Sequence, residues 1–298
     1  MERPFILHMI TPLKHVSPFD VNMALDAGFA AVAPYTGVEL REVAGLVQDA
    51  IFSRGPKDAK RTGVFIGGRD AILALDMLET ARKAMFPPFQ ISVFADPAGS
   101  FTTAAAMVAC VEAKLKKLHK EGLKNQRVVV FGATGIVGFA AGVIAGREGA
   151  KVTLAGYDGT ARVAKRAAEA KERFKIELDC ADASSDALKN DLMKQAEVVL
   201  CAGRAGTQVL SRSQIGAAKT LKVVADVNAV PPAGVEGVGV SDDGAKMENT
   251  GVLAIGALAV GNVKYQVERA MFERMRTAEK PQYLDFTHAF QEARDRVG

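Results

Sequence analysis

The chain has 298 residues, about twice the ~150-residue domain prior, so two domains or one large α/β unit are expected and a sizeable core is available. With 49% hydrophobic and 24% charged residues, 28 glycines and 11 prolines, the composition excludes a disordered, collagen-like or coiled-coil chain. Its 38 Lys and Arg against 34 Asp and Glu leave a charge of +4, spread along the chain, which argues against nucleic-acid binding and leaves a mild attraction for anionic small molecules.

In chain order, short β-prone apolar runs at 5–9, 30–33, 62–66 and 91–94 alternate with helical patterns, the signature of β-α-β units on a parallel sheet. The apolar stretch before Lys14 is too brief for a signal-peptide core, so a soluble cytoplasmic protein is expected. A charged stretch at 115–126 precedes a strongly apolar run from Val128 and reads as a helix end entering a new domain. Further strands are expected at 128–131, 151–154, 198–201 and 221–225, with helices between them. Residues 128–146 carry no charge, yet Gly132, Gly135, Gly138, Gly142 and Gly146 make them strand, turn and buried helix rather than a membrane span. Beyond about residue 260 the pattern is helical again, with Val263, Val267, Ala270, Met271 and Met275 on one face. A terminal helix of this kind often packs back on the first domain. The expected division is therefore a discontinuous α/β domain, 1–124 with 262–298, around a second at 125–261. Cys110, Cys180 and Cys201 are widely spaced and suggest neither a disulfide framework nor a zinc site.

The clearest chemical signal is Val128-Val129-Val130-Phe131 followed by Gly132-Ala133-Thr134-Gly135-Ile136-Val137-Gly138. A buried strand enters a tight turn, glycines let the backbone approach a pyrophosphate, and the helix N-terminus offers free amides and the positive end of its dipole. The spacing G-x-x-G-x-x-G departs by one position from the usual dinucleotide fingerprint, but the strand before, the apolar helix after and the next strand supply the required context. The segment 125–261 is accordingly expected to be a Rossmann-like NAD(P)-binding domain with Gly132, Thr134, Gly135, Ile136, Val137 and Gly138 at the cofactor.

The second strand ends in Gly156-Tyr157-Asp158, with Asp158 twenty residues beyond Gly138. An acidic group at that offset accepts hydrogen bonds from the adenosine ribose and repels a 2′-phosphate, which favours NAD. Arg162 and Lys165 oppose this, either as partners of a 2′-phosphate or as an ordinary solvated helix face. NAD binding with NADP tolerated is the expectation. Loops after two later strands, Cys201-Ala202-Gly203-Arg204 and Asp226-Val227-Asn228, should border the cofactor, bringing in Ala202, Gly203 and Asn228; for Asp226 ordinary turn chemistry stands level.

Four histidines (His8, His15, His119, His288) show no metal-ligand spacing, and no Gly-x-Ser-x-Gly elbow or Cys/His pair is present. The reaction should need little acid-base help. Hydride transfer from a carbon activated by nitrogen lone pairs meets that condition, because the substrate stabilises the cation formed.

Ser17-Pro18-Phe19-Asp20, Asp96-Pro97-Ala98-Gly99-Ser100-Phe101-Thr102-Thr103, the Gly132 turn, Asp226-Val227-Asn228-Ala229-Val230-Pro231-Pro232 and Gly256-Ala257-Leu258-Ala259-Val260-Gly261-Asn262-Val263-Lys264 are separated motifs in one order. Over essentially the whole chain they resemble the bacterial NAD(P)-dependent methylene-tetrahydromethanopterin dehydrogenases. The resemblance implies oxidation of methylene-tetrahydromethanopterin to its methenyl form during formaldehyde oxidation in methylotrophs. It also implies a pterin-binding α/β domain beside the Rossmann-like one, a cleft between them, and a homo-oligomer, a trimer.

The same resemblance nominates site residues. Phe19 matches an aromatic wall orienting pterin and nicotinamide, or belongs to the core. Asp20 pairs with the pterin edge, or serves a capping box begun by Ser17. Thr103 offers its hydroxyl to substrate or nicotinamide, or caps a helix, a duty for which Thr102 is the stronger claimant. Ser100 and Thr102 join the substrate-binding set. Lys264 matches the active-site lysine; an ammonium beside a developing methenyl cation would oppose hydride departure, so its expected role is to bond an oxygen and position the substrate. Glu268 stands where some members carry histidine, which bears on pterin-tail contacts and on tetrahydrofolate use. Alternatives to this reading are a methylene-tetrahydrofolate dehydrogenase and a non-catalytic NAD(P)-sensing module.

Overall fold

In a computed structural model, which describes residues 3–297, the chain forms two compact units. Met1, Glu2 and Gly298, included in the expected domain ranges, lie outside the described residues. The first unit is the chain up to Thr102 with Tyr265–Glu292; the second is Thr103–Lys264 with the chain from Ala293 onward.

The first unit carries β1 (Ile6–Ile10), α1 (Pro18–Asp26), β2 (Ala31–Tyr35), α2 (Val43–Phe52), α3 (Pro56–Ala59), β3 (Thr62–Ile66), α4 (Ala71–Lys83) and β4 (Ser92–Ala95). Helix α5 (Ser100–Lys114) takes the chain into the second unit. There β5 (Arg127–Phe131), α6 (Ile136–Arg147), β6 (Lys151–Gly156), α7 (Ala161–Phe174), β7 (Asp179–Asp182), α8 (Asp186–Met193) and β8 (Val198–Cys201) alternate. They are followed by α9 (Arg212–Ala217), β9 (Val223–Asp226), β10 (Asp243–Lys246) and β11 (Leu253–Ile255). The chain returns along α10 (Ala257–Thr277) to β12 (Tyr283–Leu284) and α11 (Phe286–Arg294).

The first unit is built on a fully parallel sheet ordered β12-β4-β3-β1-β2, with Ile6 of β1 opposite both Ala31 and Thr62. Every residue of β3 and β4 is buried, as expected for strands covered on both faces. Phe65, Phe94 and Phe272 fill this core with ring centroids 5.2–5.5 Å apart. The second sheet runs β10-β11-β9-β8-β5-β6-β7, parallel except for β10. Counting its parallel strands from β5 gives 3-2-1-4-5-6, the doubly wound nucleotide-binding order, whose switch point lies between β5 and β8.

The eight expected strands form, two of them with the expected bounds and the others with ends displaced by no more than two residues. Four more were not expected: β7 is polar and part-exposed, β10 is an exposed antiparallel edge, and β11 and β12 are three and two residues long. Strands β7, β10 and β12 lack the apolar run or alternation that marks a strand in sequence, whereas β11 lies in a short apolar run, 252–255, that sequence reasoning missed. The division at 102/103 and 264/265 also differs from the expected 124/125 and 261/262. It falls inside α5 and α10, continuous helices that no linker composition marks.

Candidate nucleotide-binding site

The site begins where β5 ends. Gly132 adopts φ +75°, and a Cβ there would overlap the Ala202 carbonyl, so the turns after β5 and β8 meet across the switch point only through a bare backbone. A Cβ on Gly138 would lie 2.5 Å from the Gly132 carbonyl oxygen. Gly135 is the N-cap of α6 with φ −77° and ψ 170°, and no side chain caps the helix. Ile136, Val137 and Gly138 form its first turn, whose amides have no intrahelical acceptor. Such a turn fits a diphosphate: unhindered amides, the positive end of a helix dipole and no side chain in the way.

Beside it lies a cavity of about 570 Å³, lined among others by Gly132, Thr134, Gly135, Tyr157, Ala202 and Gly203. Its size is that of a small-molecule pocket. Six residues nominated from sequence thus meet on one wall. Lys189, Arg204 and Val209 also line it and were not nominated.

At the end of β6, Gly156 must be glycine because its Cβ would overlap the Gly159 carbonyl. The tight turn puts Asp158 within 3.1 Å of an Arg162 guanidinium nitrogen, which also donates to the Tyr157 hydroxyl at 2.6 Å. These bonds, first that to Asp158, raise the affinity of Arg162 for its proton. Arg162 is exposed and paired with Asp158 on the helix surface. Arg166, one turn on, donates to the Thr134 carbonyl at 3.3 Å, and sequence reasoning missed it. The signal was there: Arg162 and Arg166 are spaced to share a helix face.

The loops after β8 and β9 are pinned from within. Burial pushes the Asp226 carboxyl up, although it accepts amides from Asn228 at 3.0 Å and Val235 at 2.9 Å. Asn228 donates to Pro232 O at 2.9 Å and accepts from Val230 at 2.9 Å and Gly206 at 3.3 Å. Its side-chain oxygen and one amide hydrogen hold the loop. Asp226 shows the turn chemistry.

In the first unit, Ser17 caps α1, accepting from the Asp20 amide at 3.4 Å, and Asp20 is buried. Phe19 is 45% exposed and meets the 43%-exposed Tyr265 edge to face at 6.4 Å, so it is not a core residue. Tyr265 was not nominated. The turn after β4 corrects two expectations about Thr102. Buried Asp96 accepts from Phe101 N at 2.8 Å, Thr102 N at 3.2 Å and Thr102 Oγ1 at 2.6 Å. Thr102 is fully buried and bonded inward, so it offers nothing to a substrate and is not the cap. Ser100 is half-buried with Oγ 3.5 Å from Ala98 O. In the second unit Thr103 is half-buried within α5 and Lys264 half-buried within α10. Glu268, in the first unit, is completely buried, which sets it against the expected contact with a pterin tail.

Residues 18–98 match the family profile described as methylene-tetrahydromethanopterin dehydrogenase, N-terminal. The NAD(P)-dependent methylenetetrahydromethanopterin dehydrogenase of Methylorubrum extorquens is 50% identical over 98% of this chain and 99% of its own length. This chain belongs to the methylene-tetrahydromethanopterin dehydrogenase family. The bifunctional protein MdtA of the same organism is 33% identical, covering 87% of this chain and 88% of its own. The NAD-dependent malic enzyme of Thermotoga maritima shares the fold, with TM-score 0.58, 12% identity, and 97% and 84% of the two chains covered. Family membership supports the resemblance read from the separated motifs. Among the described residues no helix is long and apolar enough to cross a membrane, and no group of three or more His, Cys, Asp or Glu is placed to hold a metal ion.

Proposed function

We propose that this chain oxidises 5,10-methylene-tetrahydromethanopterin to the methenyl form with NAD+ or NADP+ as acceptor, in formaldehyde oxidation and one-carbon metabolism. The observation that carries the reading is the 50% identity, end to end, to a dehydrogenase named for that activity. Bound NAD(P)+ supplies the hydride acceptor. The Gly132 turn holds the diphosphate through the first-turn amides of α6, and Asp158 holds the ribose hydroxyls. Ala202 and Gly203 close the cavity wall beside them, and Asn228 keeps the neighbouring loop in shape.

The pterin-binding domain is 1–124 with 262–298, and the nucleotide is held within 125–261. Exposed Phe19 offers an apolar ring against which the bicyclic reduced pterin orients. Lys264 bonds a pterin or carbonyl oxygen, since its charge would oppose cation formation at the reacting carbon. Thr103 adds a hydroxyl to the substrate or carboxamide, and Asp20 accepts from the amino edge of the pterin. No residue is asked to move a proton, because the substrate's nitrogens stabilise the product cation. We read the protein as a cytoplasmic homo-oligomer, a trimer, which sedimentation would check.

The test is absorbance at the reduced-nicotinamide band after mixing the protein with formaldehyde, tetrahydromethanopterin and NAD+ or NADP+, with tetrahydrofolate in parallel. Turnover with tetrahydromethanopterin is expected. Turnover with tetrahydrofolate alone would reassign the substrate, and cofactor binding without turnover on either carrier would overturn the enzyme reading. Lys264→Ala should lower kcat/KM at least tenfold, about 1.4 kcal/mol. A smaller loss would remove Lys264 from the site.

A further inference from the structure

Backbone amides at the Gly132 turn read a diphosphate and cannot distinguish NAD from NADP. That distinction belongs to groups around the adenosine ribose, where a lone Asp158 would accept the ribose diol and repel a 2′-phosphate. In this protein the carboxylate is not alone. Arg162 sits 3.1 Å from it, bonded also to the Tyr157 hydroxyl, with its guanidinium 5.5 Å from the Tyr157 ring centroid.

Arg166, half-buried one turn along α7, reaches the glycine turn at the Thr134 carbonyl and lies 5.7 Å from the Phe139 ring centroid. Tyr157 and Thr134 both line the cofactor cavity. The two guanidiniums are therefore anchored to adjoining stretches of its rim, one at the ribose end and one where the diphosphate turn begins. A 2′-phosphate on a ribose held by Asp158 would be on the side of these two groups.

We infer that Arg166 is a cofactor-specificity residue which, with Arg162, forms the receptor for the 2′-phosphate of NADP. The inference rests on the nucleotide-site reading above. With NAD bound, Arg162 stays paired with Asp158 while Asp158 receives the ribose hydroxyls. With NADP bound, the phosphate takes Arg162 away from Asp158, and Arg166 offsets the repulsion that the carboxylate then exerts. Guanidinium suits this exchange because its planar fork pairs equally well with carboxylate or phosphate. The same carboxylate that favours NAD thus keeps a phosphate ligand stored nearby, and both cofactors are accepted at one site.

The test uses binding and needs no pterin: fluorescence titration of the full chain with NADH and with NADPH at low and moderate salt. Arg166→Met should weaken NADPH at least tenfold more than NADH, and Arg162→Met should shift the ratio the same way. Asp158→Asn should shift it toward NADPH. Raising the salt should weaken NADPH more in the parent than in Arg166→Met, because a charge contact has gone. If Arg166→Met is too unstable to titrate, Arg166→Lys, which keeps the charge and loses the fork, should give an intermediate ratio. Equal loss of both cofactors, or no change in their ratio, would overturn the inference, since Arg166 would then only shape the glycine turn or serve packing. A parent chain that binds neither cofactor would overturn the nucleotide site and this inference together. Failure of the pterin assay with these ratios intact would count against the substrate alone.

Discussion

Two strand-to-helix turns of this protein can be set side by side. Both follow a buried parallel strand and open a helix, yet they treat the helix N-terminus in opposite ways. After β4 the chain fills the position itself: the Asp96 carboxylate takes two first-turn amides and the Thr102 hydroxyl, all buried. After β5 no side chain caps α6, and glycines at 132 and 138 let the turn pack closely against its own backbone and that of Ala202. A self-capped terminus stabilises the fold, whereas an uncapped and unobstructed one is available to an anion.

Gly132→Ala would break this contrast most severely. The added Cβ meets the Ala202 carbonyl at a positive φ, so either the turn or the neighbouring loop must move. NADH affinity should fall more than about 100-fold, about 2.7 kcal/mol, by fluorescence titration. An alanine variant that binds normally would show that the close approach of the two turns is dispensable. Asp96→Ala tests the other side. Losing a buried charge-assisted cap should cost about 2 kcal/mol of stability by denaturant unfolding, with NADH affinity within about twofold of the parent. A large loss of NADH affinity without loss of stability would make the two turns alike in function.

A smaller effect, away from both turns, comes from Glu112. Burial alone would push its carboxyl up, but bonds from Arg294 at 2.8 and 2.7 Å and from Lys116 at 3.2 Å outweigh this and hold it below its ordinary value near 4.5. Arg294 also bonds Glu148. Because the folded value is depressed, the stabilisation is present above the unfolded value and is lost as pH falls through the folded one. The melting temperature should therefore drop on acidification below about pH 4.5. Glu112→Gln should cost about 1 kcal/mol at pH 7 and flatten that drop. An unchanged acid profile in Glu112→Gln would move the acid sensitivity elsewhere, with Asp285, whose carboxyl is held low by its bonds to His288 and Thr287 despite its burial, the next group to test.

The contrast also explains what was legible in advance. The Gly132 turn was readable because backbone chemistry at a tight turn is dictated by its own few residues. The Asp96 turn was not, and Thr102 stood as the stronger claimant to the cap. Positive φ at Ala98 and Gly99 folds the chain back so that a carboxylate upstream of the helix reaches its first turn, a path that residue types do not announce. The loop-holding bonds of Asn228 were hidden for a similar reason, since its amide partners lie on both sides of it in the chain. Arg166 was overlooked because its partner, Thr134, is 32 residues earlier and on a different element.

The sequence by itself determined the α/β class, the order of the principal strands, the glycine turn and, through separated motifs, the family. Those properties depend on local patterning of apolar residues and on backbone permissions at single positions. Tertiary structure decided which polar side chains face a ligand and which hold the fold: Thr102 and Asn228 turn inward, Glu268 is buried, and Phe19 and Tyr265 stay exposed as an aromatic pair. A polar side chain is available to a substrate only when no nearer group satisfies it, and the nearest group is usually brought there by another part of the chain.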